Sequence, residues 1–187
     1  MTTKDITMTS LSFAQTAALP ASKLITHNIP TGSWTLYFHE PEDKTWTPDS
    51  YKRIQGVSSW EELGAVLREM GPSRILNGMI FCMQGDISPL WENKSNIRGG
   101  SYCLKVSRRV SSEIYHLYLA AAACGVATTD ASNAVVGVTM SPKKGFCIIK
   151  LWNANAKAFH KSSDIAILHS DVKVEEILYR PHTEQKM

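Results

Sequence analysis

The sequence predicts an α+β domain: one mostly antiparallel sheet with helices on one face. Three observations carry that expectation. Short runs rich in valine, isoleucine, tyrosine and phenylalanine recur along the chain, as strands prefer. Three helical stretches are set among them, and hairpins or long excursions join neighbouring runs. The chain has 187 residues, 43% of them hydrophobic and 20% charged, which suits one core, and no internal repeat or interior linker divides it.

Residues 1–26 are rich in Thr, Ser and Ala without amphipathic period, and read as a flexible tail. They lack the several arginines or longer apolar core of a targeting peptide. The domain is expected over residues 27–183. In 33–38, Trp34, Leu36 and Phe38 fall on one side of a strand. Strands are expected at 51–57, 74–84, 101–106, 134–139, 145–152 and 173–179 as well. Ser58-Ser59-Trp60-Glu61 reads as a capping box opening a helix through about Met70, stopped by Gly71-Pro72. A second helix, capped by Ser111 or Ser112, runs to about Cys124 and ends at Gly125. A third is expected from about Ala156 to His169.

Several function classes are excluded. The longest apolar run, Leu117 to Val126, is too short to cross a bilayer, so a soluble protein is expected. A net charge of +3 is light for a nonspecific nucleic-acid binder, while a protein holding a few phosphates of one small ligand would not need more, so charge alone is compatible with an RNA partner and with none. The six histidines form no metal-ligand spacing. His169-Ser170-Asp171 are consecutive and point to alternate sides of an extended chain, which rules out a triad. No phosphate-loop glycine pattern appears. An enzyme is therefore not expected, nor a metal or cofactor. Cys82, Cys103, Cys124 and Cys147 lie about twenty residues apart without a C-x-x-C pair, and read as small buried hydrophobes in a reducing cytosol.

Five tryptophans are the richest signal. Trp34 shares its side with Leu36 and Phe38 and reads as core. Trp46 sits in the polar stretch Lys44-Thr45-Trp46-Thr47-Pro48, where nothing obliges burial. Trp91 precedes a polar, glycine-bearing loop. Spacing alone leaves both open between packing and facing a ligand.

His27, Trp34-Thr35-Leu36-Tyr37, Lys44-Thr45-Trp46, Pro89-Leu90-Trp91-Glu92, Arg98-Gly99-Gly100 and Leu151-Trp152 occur in that order across most of the chain beyond the tail. The series resembles the eukaryotic translation initiation factor 4E family. The resemblance implies a strongly curved antiparallel sheet of about eight strands, backed on its convex face by three helices, with the 7-methylguanosine cap of mRNA held on the concave side. It implies that Trp46 and Trp91 sandwich the methylated guanine, Glu92 reads the guanine edge and Trp152 lies beside the N7-methyl group. The chemistry suits these residue types. N7-methylation makes the base a delocalised cation, which an indole face attracts. Guanine's two adjacent edge donors match an ionised carboxylate, which only accepts.

The triphosphate needs cations. Lys150 shares a strand face with Trp152, while Lys143 and Lys144 sit in the turn before it. Each lysine is open between phosphate contact and a solvated basic turn, and Arg98 between phosphate contact and a tight turn. Thr139-Met140 carries no arginine where the family usually has one.

The family docks a scaffold factor 4G, or a 4E-binding repressor, on the convex helical face. That surface would here involve His27, Trp60, Gly64, Leu117 and Ala121. Gly64 stands where relatives carry a tryptophan, and Trp60, one turn earlier on the same helical side, either replaces that indole or staples the helix to the sheet. An altered scaffold contact is expected. Recruitment of capped mRNA for translation initiation is the expected function; a cap-binding repressor that assembles no initiation complex is the alternative. Both act in the cytoplasm, with the nucleus also open. The sequence ends at Met187, so no counterpart of the family's regulatory C-terminal serine is expected.

Overall fold

The computed structural model describes residues 26–158 and 161–185; the tail expected over 1–26 falls outside them except for Thr26. The elements, in chain order, are β1 (Trp34–His39), β2 (Lys52–Val57), α1 (Trp60–Asn77), β3 (Met79–Gln84), β4 (Gly100–Ser107), α2 (Ser111–Ala123), β5 (Val135–Pro142), β6 (Phe146–Asn153) and β7 (Leu178–Pro181). The strands form one sheet in the order β2-β1-β3-β5-β6-β4-β7, antiparallel throughout.

Strand alternation gives the sheet two unlike faces. One carries Trp34, Leu36, Ile80, Cys82, Tyr102, Leu104, Val138, Met140, Ile149 and Leu151, all buried. Against it lie Leu63, Val66, Met70 and Ile75 of α1, and Ile114, Tyr115, Tyr118 and Leu119 of α2. Each such large apolar side chain contributes about 1.5–3 kcal/mol on full burial. Trp34 is fully buried there, as its strand position predicted. The opposite face carries Tyr37, His39, Phe81, Ser101, Thr139, Lys150 and Trp152, and neither α1 nor α2 packs on it.

The helix starts differ from the sequence reading by one position. Ser59, not Ser58, caps α1: its hydroxyl accepts the Glu62 N–H, and the Glu62 carboxylate accepts the Ser58 and Ser59 N–H groups. At α2 neither serine caps; the Ser111 hydroxyl donates to the Arg108 carbonyl instead. Gly125, at φ 75°, closes α2 as expected, where the N–H groups of Gly125 and Val126 reach the Ala122 and Ala121 carbonyls.

Gly71-Pro72 interrupts α1 where a stop was expected, and the first helical segment ends there. Gly71 stands at φ 64°, ψ 165°, because the proline ring excludes helical geometry from the residue before it. Helix resumes to Asn77, so 74–77 are not the start of a strand. The third helical segment is this continuation. Within 156–169 the described residues form only 3-10 turns, Ala156–Ala158 and Ser162–Asp164. Their backbone groups are used elsewhere: Thr129 N–H donates to the Asp164 carbonyl and Ala166 N–H to that of Ala127.

Among the described residues the sheet has seven strands, against the expected eight or so, and it is only partly curled. The segment before β1 makes one isolated bridge, Asn28 with Ser59. Bends enter at two register shifts, Leu36/Tyr37 and Val135/Gly137. Lys173–Tyr179 divides into a 3-10 turn and the start of β7. The four cysteines are free thiols; Cys82 and Cys147 are buried, Cys103 half-buried and Cys124 exposed, the last against expectation. No described helix is long and apolar enough to cross a membrane.

Candidate functional site

A second apolar cluster lies on the helix-free face: Phe81, Met83, Val136 and Trp152, flanked by Tyr37, Tyr51, Met79, Ile87 and Trp91. Above it opens a cavity of about 250 Å³ whose wall includes Trp46, Trp91 and Trp152. The sequence brings these indoles from three places. Trp152 stands on β6, 5% exposed, and its Nε1–H donates to Thr139 Oγ1 at 3.3 Å. Trp46 belongs to the excursion between β1 and β2 and is 49% exposed. Trp91 sits half-buried on the loop between β3 and β4.

That loop is pinned from within. Asn96, fully buried, donates through its amide to the carbonyls of Ser88 and Leu90, both at 2.7 Å. His182 Nδ1–H donates to the Asn96 carbonyl at 2.7 Å, and its ring tilts against Trp152 with centroids 4.8 Å apart. Burial holds the His182 imidazole below its ordinary range, which favours the neutral ring. Ser101 Oγ and His182 Nε2 border the cavity, buried, without a hydrogen-bond partner among the described residues. Tyr51 meets Phe81 edge-on at 5.1 Å; burial, reinforced by the Glu92 charge, pushes its phenol up to about 12. Glu92 itself is exposed, at the rim rather than in the wall, although its charge reaches Tyr51 and His182.

Beside this cavity, and sharing Met79, Ser141 and Lys150 with it, lies a second of about 870 Å³. Lys105, Lys143, Lys150 and Arg180 line it against the single carboxylate of Glu176. Register explains the clustering. Cys103 pairs with Lys150 on one side and Leu178 on the other, so Lys105, Lys150 and Arg180 emerge on one face of three adjacent strands. Lys143 joins from the β5–β6 hairpin, where its N–H bonds the Phe146 carbonyl at 2.8 Å. Of the four cations that the sequence nominates, Lys143 and Lys150 reach this surface. Lys144 and Arg98 border neither cavity: Lys144 faces solvent at the hairpin tip, and Arg98 is an exposed loop residue whose carbonyl accepts the Ala156 N–H. Arg98-Gly99-Gly100 is a tight passage, since a Cβ on Gly99 would overlap the Asn153 carbonyl oxygen. Lys105, Arg180, Ser101 and His182 were not singled out from the sequence. Strand period alone could have grouped Ser101 with Lys105, but not with Arg180.

On the helical side a groove between α1 and α2 is lined by Trp60, Leu63, Gly64, Leu67, His116, Leu119 and Ala120, and continues toward Gly71 and Ile75. Trp60 and Gly64 share it, as their spacing predicted. Leu117 and Ala121 do not line it. Leu117 is 36% exposed on another side of α2, and Ala121 is buried in the core, because helical rotation presents His116, Leu119 and Ala120 instead. His27 lies at the α1 start, where its N–H and ring meet the Glu61 carboxylate at 3.1 and 2.7 Å.

Residues 31–187 match the family model described as Eukaryotic initiation factor 4E. Eukaryotic translation initiation factor 4E of Dictyostelium discoideum is 25% identical over 159 residues, covering 81% of this chain and 63% of that protein. Initiation factor NCBP of Arabidopsis thaliana is 31% identical over 111 residues, 58% of this chain and 49% of its own length. The chain thus spans less than two thirds of these relatives. Among solved structures, C. elegans eIF4E-3, in complex with the 4E-binding protein Mextli and a cap analog, superposes with a TM-score of 0.66 at 15% identity, over 85% of this chain and 94% of that one. Ascaris suum eIF4E-3 with the m7G cap gives 0.60 at 14% identity, over 72% and 77%. These likenesses show a shared fold, and the match over residues 31–187 places the chain in the eukaryotic initiation factor 4E family.

Proposed function

We propose that this protein binds the 7-methylguanosine cap of mRNA and recruits capped mRNA for translation initiation. The observation that carries the reading is the convergence of Trp46, Trp91 and Trp152, from separate elements, on one cavity that opens onto a basic surface. Trp46 and Trp91 stack the cationic base, each adding a π-face to a charge that cavity walls partly desolvate. Glu92 swings from the rim to accept the two guanine edge donors. Trp152 packs beside the N7-methyl group. The phosphates run past Lys150 toward Lys143, with Lys105 and Arg180 beyond. The cap-bound structure of the Ascaris relative supports the ligand's identity.

The α1–α2 groove is the docking place for a scaffold or a repressor helix; the Schistosome relative is solved with both m7GpppG and a 4E-binding protein. The test of the main reading is titration with 7-methylguanosine triphosphate and with GTP, followed by tryptophan fluorescence. Preference for the methylated nucleotide with quenching is expected. Equal affinity for the two would refute the proposal.

A further inference from the structure

We infer that His39 is the positioning residue of Trp46 and acts with a proton on both ring nitrogens. The inference rests on the reading of Trp46 as a base-stacking residue. His39 ends β1 on the helix-free face and is fully buried. Its Nδ1 lies 2.8 Å from the Glu40 carbonyl oxygen and its Nε2 2.9 Å from that of Thr45. Carbonyl oxygens only accept. A neutral imidazole has one N–H and one lone pair, so either tautomer of this fully buried ring would aim a lone pair at a carbonyl lone pair. Only the imidazolium donates to both, and such a donor makes the stronger, charge-assisted bond.

The two carbonyls stand at opposite ends of the 40–45 excursion that delivers Trp46, so the ring clamps that excursion across its base. The same ring lies flat against the Trp46 indole, with centroids 4.3 Å apart and planes within 5°. One indole face is thereby covered and its plane fixed. The surroundings accept a cation. Asp43 lies on the same excursion, its carboxylate held low chiefly by the hydrogen bond it accepts from the Thr45 N–H. The Lys52 ammonium is engaged by Glu40 at 3.0 Å. Tyr51 brings a ring tilted at 60° with its centroid 5.0 Å from that of His39. An imidazolium between an indole face and two carbonyls is a compensated buried charge. Deprotonation would leave one carbonyl without its donor and loosen the clamp.

The test has two arms. In the ligand-free protein with ¹⁵N-labelled histidine, the His39 ring nitrogens are read by NMR near neutral pH. Both should show protonated shifts; one protonated and one bare nitrogen would overturn the inference. In the second arm, H39F keeps a flat ring under the indole and removes both donors. Its affinity for 7-methylguanosine triphosphate should be about tenfold lower than that of the unaltered protein, the scale of one to two lost hydrogen bonds. That gap should narrow toward unity as pH rises and the unaltered His39 loses its second proton. Titration of the ligand affects both proteins alike and cancels in the ratio. A gap that is absent, or that widens with pH, would overturn the inference. If the unaltered protein itself does not discriminate 7-methylguanosine triphosphate from GTP, the cap-binding reading has failed, and the NMR arm still decides the state of His39.

Discussion

At the scale of single residues the candidate site depends on how much indole surface is left available. Trp46 is half open with one face on His39, while Trp91 rests on a small apolar cluster. Trp152 is nearly closed, so its share is the edge it presents to the cavity. Trp46→Ala and Trp91→Ala should each weaken 7-methylguanosine triphosphate binding by about 1–3 kcal/mol, measurable by calorimetric titration. Glu92→Gln keeps shape but gives up charge-assisted acceptance and substitutes an amide donor on one side. A several-fold loss is expected, and unchanged affinity would remove Glu92 from the base contact. The indoles were legible only through the family resemblance that their short motifs carry, since spacing alone left Trp46 and Trp91 open between packing and facing a ligand. His39 was not, since its meaning comes from two carbonyls and a ring that only the folded excursion brings to it.

Elements decide where those residues stand. The α1 start is fixed by the reciprocal Ser59–Glu62 cap, and Ser59→Ala should cost about 1 kcal/mol in chemical denaturation. Hydrogen bonds from the Ser58 and Ser59 backbone hold the Glu62 carboxyl below its ordinary range. A folded-state value below the unfolded one stabilises above the ordinary carboxylate range, and the benefit disappears as pH falls through the lowered value. Glu62→Gln should therefore flatten the acid limb of stability against pH, followed by denaturation at a series of pH values. Behind Trp152, the end of β6 is tied by a buried polar chain: Asn153 donates to Asn133, Asn133 to Tyr102, and Tyr179 to Asn153. Asn153→Ala removes the bonds to Asn133 and from Tyr179, together with the one its side-chain oxygen accepts from the Gly100 N–H, and a buried N–H left unsatisfied costs about 1–3 kcal/mol. It should lower thermal stability and, by loosening β6, weaken cap binding as well. Capping and strand period are short-range signals, which is why the helix starts were nearly right. The stretch 156–169 misled because its backbone pairs with 127–129, a contact no local pattern records.

Over the whole molecule, the sheet separates two tasks. One face is filled by helices and supplies stability, and the other is left to loops, indoles and cations. The basic surface gathers Lys105, Lys150 and Arg180 from three adjacent strands and Lys143 from a hairpin, although the net charge is only +3. Replacing Lys143 and Lys150 together by alanine should reduce both the affinity for 7-methylguanosine triphosphate and its salt dependence. An unchanged salt slope would place the phosphates elsewhere.

The sequence by itself determined the fold class, the core side of β1 and the C-terminal end of α2, because alternation and helix-stop signals act over a few residues, while the three indoles around the cavity came from the resemblance to the family. Only the tertiary structure decided which cations meet, that Ala121 is core rather than groove, and that His39 lies beneath Trp46. Those outcomes depend on register between strands distant in sequence and on helix rotation, which hydrogen-bond ladders and packing fix together only when the chain has closed on itself.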